Sequence, residues 1–305
     1  MTLLVVGSVA LDSVETPFGQ VREVLGGSAT YSAASASLFT QVNLVAVVGK
    51  DFPREHLDFL CQRSVDLQGL QVVEGETFRW SGRYDYELNT THTLETRLNV
   101  FADFHPALPE SYKKSDLVFL ANIHPELQLE VLRQVYPRPR LVMADTMDFW
   151  IRGHRDALER VLGTVDVATM NESEVRMWAG TSNLLQAARR LLSLGPKVVI
   201  IKQGEHGAVM FNKDTYFLVP AYLVDSVVDP TGAGDSFAGA FLGYLDQVGQ
   251  IDERSLRRAV VYGCAVASFT VQGFSLEGLR HLTPQAVADR YLEFYHFTHF
   301  HEISG

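Results

Sequence analysis

The 305-residue sequence contains only two cysteines, Cys61 and Cys264, and neither belongs to a Cys-x-x-Cys pair. A disulfide framework and a structural zinc site are therefore excluded, and this cysteine usage is typical of a cytoplasmic protein. Long apolar runs are lacking as well. Residues 24–49 carry no charge, but serine, threonine, asparagine and glycine interrupt them throughout, so we predict no transmembrane helix and no membrane partner. The first residues, with no basic segment and no cleavage site, predict a buried strand rather than a signal peptide.

Basic side chains are also scarce, since 26 lysines and arginines stand against 36 aspartates and glutamates and give a net charge of −10. A negative field of this size repels phosphate backbones, which argues against nucleic acid as a partner. The P-loop, zinc-protease and serine-hydrolase motifs are absent, and no dinucleotide fingerprint follows the first apolar run. With no repeat and no linker to divide the chain, we expect one domain over residues 1–305.

Apolar runs that predict buried strands alternate with segments of helical periodicity along the chain. The predicted strands are residues 3–9, 42–48, 116–121, 140–145, 165–169 and 197–202. The predicted helices are residues 28–39, 54–63, 126–135, 155–162 and 182–194. This alternation predicts an α/β fold with a doubly wound, mostly parallel sheet flanked by helices, whose ligands bind at the carboxyl ends of the strands.

The segment from Phe78 to Leu88 departs from this pattern, because its residues alternate between a mostly aromatic face and a polar face. Alternation resumes after Thr91 and continues to Val100, which predicts a β-hairpin. We interpret it as part of a small β-sheet lid, formed by about residues 13–24 and 74–103, whose aromatic face is covered by substrate or by a partner subunit. The alternative is an amphipathic edge of the main core.

The sequence from Asp229 to Asp235 (DPTGAGD) is a glycine-rich turn that precedes an apolar helix over residues 236–248. Such a turn presents free N–H groups at the positive end of a helix dipole, and together they form an anion site. Asp235 is a poor ligand for phosphate but is suited to take a proton from a hydroxyl that attacks phosphate. The alternative is that Asp235 simply caps the helix.

The DPTGAGD string resembles the C-terminal signature of the ribokinase/PfkB carbohydrate kinase family. Motifs similar to those of the family also occur in the family's order. They are residues 6–12 (VGSVALD) followed by Gly26-Gly27, residues 48–52 (VGKDF), residues 171–174 (NESE) and residues 202–207 (KQGEHG). The resemblance extends from residue 3 to about residue 285 and implies a ribokinase-like kinase.

The resemblance implies that Asp235 is the general base and that the turn of Gly232, Ala233 and Gly234 is the anion hole. It also implies MgATP as the cofactor, with Glu174 holding Mg²⁺ through water. The remaining positions that it assigns to nucleotide binding are Asn171, Lys202, Gly204, Gly207 and Thr231. For Glu174 the alternative is a helix-capping carboxylate, and for Lys202 it is a solvated lysine. Activation by K⁺ is left open.

On the acceptor side, the resemblance assigns substrate binding to Asp12, Gly26, Gly27 and Tyr31. The chain departs from the ribokinase pattern at Ala10 and Tyr31, where asparagine is usual, and these departures disfavour ribose itself. Asp145 and Asp148 end a predicted strand on the ligand side, and the pattern prefers neither.

The acceptor is therefore left open among three classes. A free sugar or polyol comes first, because the family consists mainly of carbohydrate kinases. A nucleoside comes second, because Tyr31, with Trp80 or Tyr84, offers aromatic surfaces for stacking. A sugar phosphate comes third, on the evidence of Arg79, Arg83 and Arg97. Outside enzymes, the alternative is a binding protein that has lost turnover, and the resemblance further implies a homodimer formed through the lid.

Overall fold

The computed structural model describes residues 2–88 and 90–299. The strands are β1 (Leu3–Val6), β2 (Ala10–Thr16), β3 (Gly19–Gly26), β4 (Val42–Gly49), β5 (Val65–Val73), β6 (Arg79–Tyr84), β7 (Thr91–Arg97), β8 (Leu117–Leu120), β9 (Leu141–Ala144), β10 (Val167–Asn171), β11 (Val198–Lys202), β12 (Ala208–Phe211) and β13 (Tyr216–Val219). The helices are α1 (Ser28–Ala36), α2 (Arg54–Gln62), α3 (Pro125–Gln134), α4 (Asp148–Gly153), α5 (Arg155–Leu162), α6 (Glu172–Ala179), α7 (Leu184–Leu194), α8 (Ala233–Val248), α9 (Glu253–Thr270), α10 (Glu277–Arg280) and α11 (Pro284–Thr298). Within these described residues, no helix combines the length and the apolar character that crossing a membrane requires.

A nine-stranded sheet lies at the centre of the molecule, in the order β13-β12-β11-β10-β9-β8-β1-β4-β5. All neighbours from β11 to β5 in this order are parallel, whereas β12 and β13 are added antiparallel at one edge. The predicted α/β fold with a mostly parallel sheet is thereby confirmed. The carboxyl ends of β1, β8, β9, β10 and β11 lie along one edge of the sheet, where ligands are expected.

The apolar runs of the central strands are explained by burial on both faces of the sheet. In β1, Leu3 and Val5 pack in the core that contains α1, α8 and α9. Leu4 and Val6 point to the opposite core, which contains α3. Because successive side chains of a strand alternate between the faces, a strand covered on both sides must be apolar at every position.

The first strand ends earlier than predicted, at Val6 rather than at residue 9. A Cβ on Gly7 would lie 2.7 Å from the Cβ of Ala121, so only glycine fits where the chain leaves the sheet. Ser8 then bonds to Ser28, whose amide donates to the Ser8 Oγ at 3.0 Å. These contacts hold the chain at the start of α1, and β2 begins in a different sheet.

The second sheet has four strands in the order β3-β2-β6-β7. The predicted hairpin forms β6 and β7, which pair antiparallel, while β2 pairs parallel to β6. A small separate sheet is therefore confirmed. Asp51, in the turn after β4, accepts hydrogen bonds from the Thr77 amide (2.8 Å) and from Arg79 Nη2 (2.7 Å). The VGKDF motif thus attaches the beginning of β6 to the main sheet.

Helices α1 and α8 pack unusually closely, and this contact positions the site. A Cβ on Gly239 would lie 2.1 Å from the carbonyl oxygen of Ser32, and one on Gly243 would lie 2.8 Å from that of Ala36. The alanine- and serine-rich composition of α1 and the glycines of α8 are therefore both needed for the backbones to approach. Since both helices begin at the carboxyl edge of the main sheet, their first turns lie together.

Candidate active site

The glycine turn forms the beginning of α8 as predicted. Gly232 has φ +75° and stands immediately before the helix, in a conformation that favours glycine. The Ala233 amide donates to the carbonyl of Pro230 at 3.2 Å. Among the described residues, the amides of Gly232 and Gly234 therefore remain available to an anion, whereas the anion-hole role predicted for Ala233 requires this turn bond to open.

Asp235 lies in the first turn of α8, beside these amides. Burial raises the pKa of its carboxyl group, the carboxyl of Asp145 raises it further and the ammonium of Lys202 lowers it, with a resulting pKa of about 8. Such a carboxyl exchanges its proton near neutral pH, which is suited to general base chemistry. The structure also argues against the simple capping role, since the N-cap of α8 is Gly232 and Asp235 lies three positions further on.

Lys202, at the end of β11, forms an ion pair with Asp145, which follows β9; Nζ and Oδ2 are 2.7 Å apart. The side chains are only 16% and 5% exposed, so Lys202 is not a solvated lysine. A Cβ on Gly234 would lie 2.8 Å from Lys202 Nζ, which places the ammonium group directly against the glycine turn. The sequence pattern did not distinguish Asp145 from Asp148 as a site residue. In the structure, Asp145 contacts Lys202, whereas Asp148 is exposed.

Asn171 and Glu174 form a capping box at the start of α6. The Asn171 Oδ1 accepts from the Glu174 amide (2.8 Å), and Glu174 Oε2 accepts from the Asn171 amide (2.7 Å). The capping alternative is therefore present, but Glu174 is also buried, and burial together with the Asp145 carboxyl raises its pKa to about 7.

The same region fits a magnesium ion that keeps most of its water. Glu174 Oε1 accepts no hydrogen bond from the described residues, and Asp145 adds a second carboxylate nearby. No group of three His, Cys, Asp or Glu side chains in residues 2–88 and 90–299 could hold a metal ion. Mg²⁺ is commonly bound by one or two carboxylates together with substrate phosphates and water, so the residues present fit it.

The predicted acceptor residues lie where β2, β3 and α1 meet. Asp12 Oδ2 accepts a hydrogen bond from the Gly27 amide (3.3 Å), and a Cβ on Gly26 would overlap the same oxygen at 1.9 Å. Gly27 has φ +94° and no room for a side chain, because its Cβ would lie 2.4 Å from the Ser8 carbonyl oxygen. The glycine pair thus lets the backbone approach the Asp12 carboxyl, whose pKa burial raises to about 7.

Tyr31 lies between the acceptor residues and the glycine turn. Its side chain is 2% exposed, and a Cβ on Gly232 would lie 2.4 Å from its ring. Burial raises the pKa of its hydroxyl, and the nearby carboxyls of Asp12, Asp229 and Asp235 contribute to the same shift. The ring therefore packs flat on the turn, with little surface open to stacking.

Tyr84, from the small sheet, contacts the same turn. Thr231 Oγ1 and the Tyr84 hydroxyl are 3.1 Å apart, and the Thr231 amide donates to Asp229 Oδ1 at 2.9 Å. Thr231 therefore links β6 to the beginning of α8. This hydrogen bond brings the small sheet onto the turn, and stacking of the Tyr84 ring on a substrate stays a prediction.

Two arginines of the small sheet, Arg79 and Arg97, are paired with carboxylates. Arg79 forms ion pairs with Glu23 (2.8 Å) and Asp51 (2.7 Å). Arg97 pairs with a glutamate of its own strand at 2.7 Å. Arg83 shares the face of Arg79 on β6 and is exposed. The ion pairs of Arg79 and Arg97 favour a structural role for these arginines over recognition of a sugar phosphate.

Gly204 and Gly207 lie in the turn between β11 and β12, with φ values of +55° and +92°. A Cβ on Gly207 would lie 2.0 Å from the carbonyl oxygen of Val219. Packing alone therefore requires glycine at residue 207. Contact of this turn with nucleotide phosphates stays a prediction.

Known proteins share both the sequence and the fold of this chain. A model described as "pfkB family carbohydrate kinase" matches residues 3–278. The chain is 32% identical to a cytidine kinase of Thermococcus kodakarensis over 248 aligned residues. The alignment covers 79% of this chain and 87% of that protein. The solved nucleoside kinase of Methanocaldococcus jannaschii, an archaeal member of the ribokinase family, has a TM-score of 0.76 and 22% identity, with 96% of this chain and 99% of that chain covered. A putative ribokinase II from E. coli, solved with ATP and Mg²⁺, has a TM-score of 0.79 and 20% identity over the same shares.

Proposed function

The chain belongs to the pfkB family of carbohydrate kinases, and we propose that it transfers the γ-phosphate of MgATP to a primary hydroxyl of a nucleoside. As a member of this family it is a phosphotransferase of the sugar and nucleoside kinase type. The arrangement that supports the reaction is the glycine turn, which ends at Asp235. Lys202 lies against one side of this turn, and the acceptor residues around Asp12 lie on the other side. Donor and acceptor sites therefore meet at a single carboxyl group.

In the proposed reaction, Asp12 holds hydroxyls of the sugar and the reacting hydroxyl faces Asp235. The Asp235 carboxylate takes the proton as the hydroxyl oxygen bonds to the γ-phosphorus, and the bond from that phosphorus to the bridging oxygen of ADP breaks. The amides of Gly232 and Gly234, the α8 dipole and the Lys202 ammonium stabilise the negative charge on the transferred group. Glu174 would hold Mg²⁺ through water, and the ion supplies further positive charge at the phosphates.

The choice of a nucleoside rests on one observation, the 32% identity with a cytidine kinase over 87% of that protein. A free sugar, first among the acceptors by sequence alone, becomes the second candidate. It stays a candidate because the role proposed for Asp12, which is to hold sugar hydroxyls, requires no base. The paired arginines place a sugar phosphate third.

The test is ATP consumption with Mg²⁺ across a panel of nucleosides, free pentoses and hexoses, polyols and sugar phosphates. We expect kcat/KM for at least one nucleoside to exceed that for the best free sugar at least about tenfold, since a recognised group of this size contributes more than 1 kcal/mol. If a free sugar had the highest kcat/KM of the panel, the proposed acceptor would be a sugar and not a nucleoside. Turnover of no acceptor, with ATP bound, would favour a binding protein.

Replacing Tyr31 by asparagine is expected to change the acceptor profile more than the affinity for ATP. The tyrosine ring fills the space between Gly232 and the acceptor carboxyls, and the smaller amide would open it to a larger or more polar group. We expect the ratio of kcat/KM for the best nucleoside to that for ribose to change at least about fivefold, about 1 kcal/mol, while KM for ATP stays within about twofold. An unchanged ratio would remove Tyr31 from the acceptor site.

We also propose that two chains pair through the small sheet. All seven residues of β7, Leu94 among them, are exposed at the edge of this sheet. Leu98, which directly follows β7, is also exposed. An open edge strand of this length offers unpaired backbone groups to a second strand. Sedimentation of the purified protein measures whether its mass in solution is that of one chain or two.

A further inference from the structure

A ring of polar and aromatic side chains follows β8 and β9 at the carboxyl edge of the main sheet, and none of them has been given a role above. We name it the β8–β9 rim and define it by Asn122, His124, Met147, Phe149, Trp150 and His154. The imidazole of His124 lies 4.4 Å from that of His154 and 4.9 Å from the Trp150 ring, between centroids. Phe149 packs edge-on against Trp150 and is 58% exposed, although it is a large apolar side chain.

The rim continues the acceptor site along the sheet edge. Ser28 Oγ donates to the Asn122 carbonyl at 3.3 Å, and Ser28 follows Gly27, whose amide binds Asp12. At the other end, Met147 lies two residues after Asp145, the partner of Lys202. The rim therefore borders both the acceptor residues and the Asp145–Lys202 pair, because it follows β8 and β9, which lie between β1 and β10 in the sheet.

The amide of Asn122 has a fixed orientation. Trp150 Nε1 lies 2.9 Å from Asn122 Oδ1, and an indole N–H can only donate, so the atom that faces it must be the oxygen. The Nδ2 group consequently faces away, and its contact among the described residues is the weakly accepting sulfur of Met147 at 3.2 Å. At least one good N–H donor of Asn122 is thus left for a ligand.

His124 presents a second donor. Its Nδ1 accepts a hydrogen bond from the Glu126 amide at 3.1 Å, so in the neutral ring the proton is on Nε2. Burial and the neighbouring His154 lower the pKa of His124, which favours the neutral ring. The rim therefore offers two N–H donors beside aromatic surface.

We infer that the β8–β9 rim binds the base of the acceptor nucleoside and selects a pyrimidine with two adjacent acceptors, O2 and N3, as in cytosine. This inference rests on the proposed nucleoside kinase function. Uracil presents a donor, N3–H, where cytosine presents an acceptor, so it would meet an N–H group of the protein without a partner. Trp150 fixes the Asn122 amide and, with Phe149, supplies apolar surface to the base.

The decisive variant is Asn122→Asp, which is nearly isosteric. Its carboxylate still accepts from Trp150 but presents an acceptor where the amide presents a donor. We expect the ratio of kcat/KM for cytidine to that for uridine to fall at least about tenfold, because the hydrogen-bond pattern is reversed. Trp150→Phe, which frees the amide to rotate, is expected to move the same ratio toward one.

The matched control is Asn183→Asp, the same substitution at the N-cap of α7, where Asn183 Oδ1 accepts from the Gln186 amide and aspartate caps equally well. It is expected to leave the cytidine-to-uridine ratio unchanged. Thermal melts establish that each variant is folded, and calorimetry of each nucleoside without ATP gives the same selectivity as a ratio of Kd values.

The outcomes separate the two proposals. If the wild-type enzyme phosphorylates no nucleoside, the proposed function is overturned before any variant is made. If it phosphorylates nucleosides and Asn122→Asp lowers activity with cytidine and uridine equally, or with neither, the role of the rim in base selection is overturned and the kinase function stands. A fall in the ratio confined to the rim variants supports both.

Discussion

Replacing Asp235 by asparagine is expected to lower kcat about 10³-fold with every acceptor, the usual effect of losing a general base. The amide keeps the shape of the side chain but accepts no proton from the attacking hydroxyl. The amides of Gly232 and Gly234 remain, so the Kd for ATP measured by calorimetry is expected to stay within about threefold of the wild-type value, or about 0.6 kcal/mol. Turnover at the wild-type rate would show that another group takes the proton.

The same substitution is expected to stabilise the protein at high pH. The pKa of Asp235 is raised from 3.8 to about 8 on folding, so between these values the folded chain binds more protons than the unfolded chain. The free energy of unfolding therefore falls as pH rises through this window, and asparagine removes that loss. We expect Tm of the variant to exceed that of the wild type by about 2 °C or more at pH 8, and by less at pH 5.

Asp246 provides a matched control for the loss of activity. It lies on the same helix and is buried, and burial raises the pKa of its carboxyl as it does for Asp235. Its hydrogen-bond partner is Thr40, so it is not part of the glycine turn. Asp246→Asn is expected to keep kcat within about twofold, because no proton transfer depends on it. If Asp246→Asn lost as much activity as Asp235→Asn, the loss would be due to a disturbance of α8 and not to removal of the general base.

The sequence predicted six of the nine strands of the main sheet, helices between them and the residues of the glycine turn, because these depend on local periodicity and on glycine. The small sheet was predicted for the same reason, since the alternation after Phe78 is local. Strands β5, β12 and β13 were not predicted. Asp145 was not distinguished from Asp148, because its partner Lys202 is 57 positions away in the chain and only the parallel order of β9, β10 and β11 brings the two together.

Side-chain directions were less accessible from sequence. Tyr31 was expected to offer a stacking surface, but the close packing of α1 on α8 turns its ring onto Gly232. Glu174 was given a metal role or a capping role as alternatives, and it forms the cap with one oxygen while the other accepts no hydrogen bond from residues 2–88 and 90–299. The role of the rim required the contact between Trp150 and Asn122, which no motif contains. Activation by K⁺ and the cytoplasmic location stay predictions.

Replacing Lys202 by methionine is expected to have the second large effect, and it acts on both activity and stability. The ammonium lies against the glycine turn and lowers the pKa of Asp235 and of Glu174. Without it, kcat is expected to fall about 10²-fold, as when one donor to the transition-state charge is removed. The pH at which kcat/KM reaches half its plateau is also expected to rise by about one unit, because the Asp235 carboxylate loses its nearest positive charge.

Stability is expected to fall by about 3 kcal/mol, because Asp145 is 5% exposed and would be left as an unpaired buried charge. The double variant Lys202→Met with Asp145→Asn removes that charge and is expected to recover at least half of the loss in chemical denaturation. Lys197→Met is the control, since Lys197 precedes the same strand and pairs with Asp166 at 2.9 Å, but is 80% exposed.

The double variant separates the structural role of Lys202 from its role in the reaction. The reference for kcat is the single variant Asp145→Asn, because Asp145 also lies beside the proposed magnesium site. If Lys202 only neutralises Asp145, then removing both charges restores stability and brings kcat to that of Asp145→Asn. If its ammonium stabilises the transferred phosphate, as we propose, stability returns while kcat stays well below that of Asp145→Asn, because the charge in the transition state still lacks its partner. Recovery of kcat would therefore show that Lys202 has a structural role only. The transferred phosphate would then be stabilised by the amides of the glycine turn and by the metal.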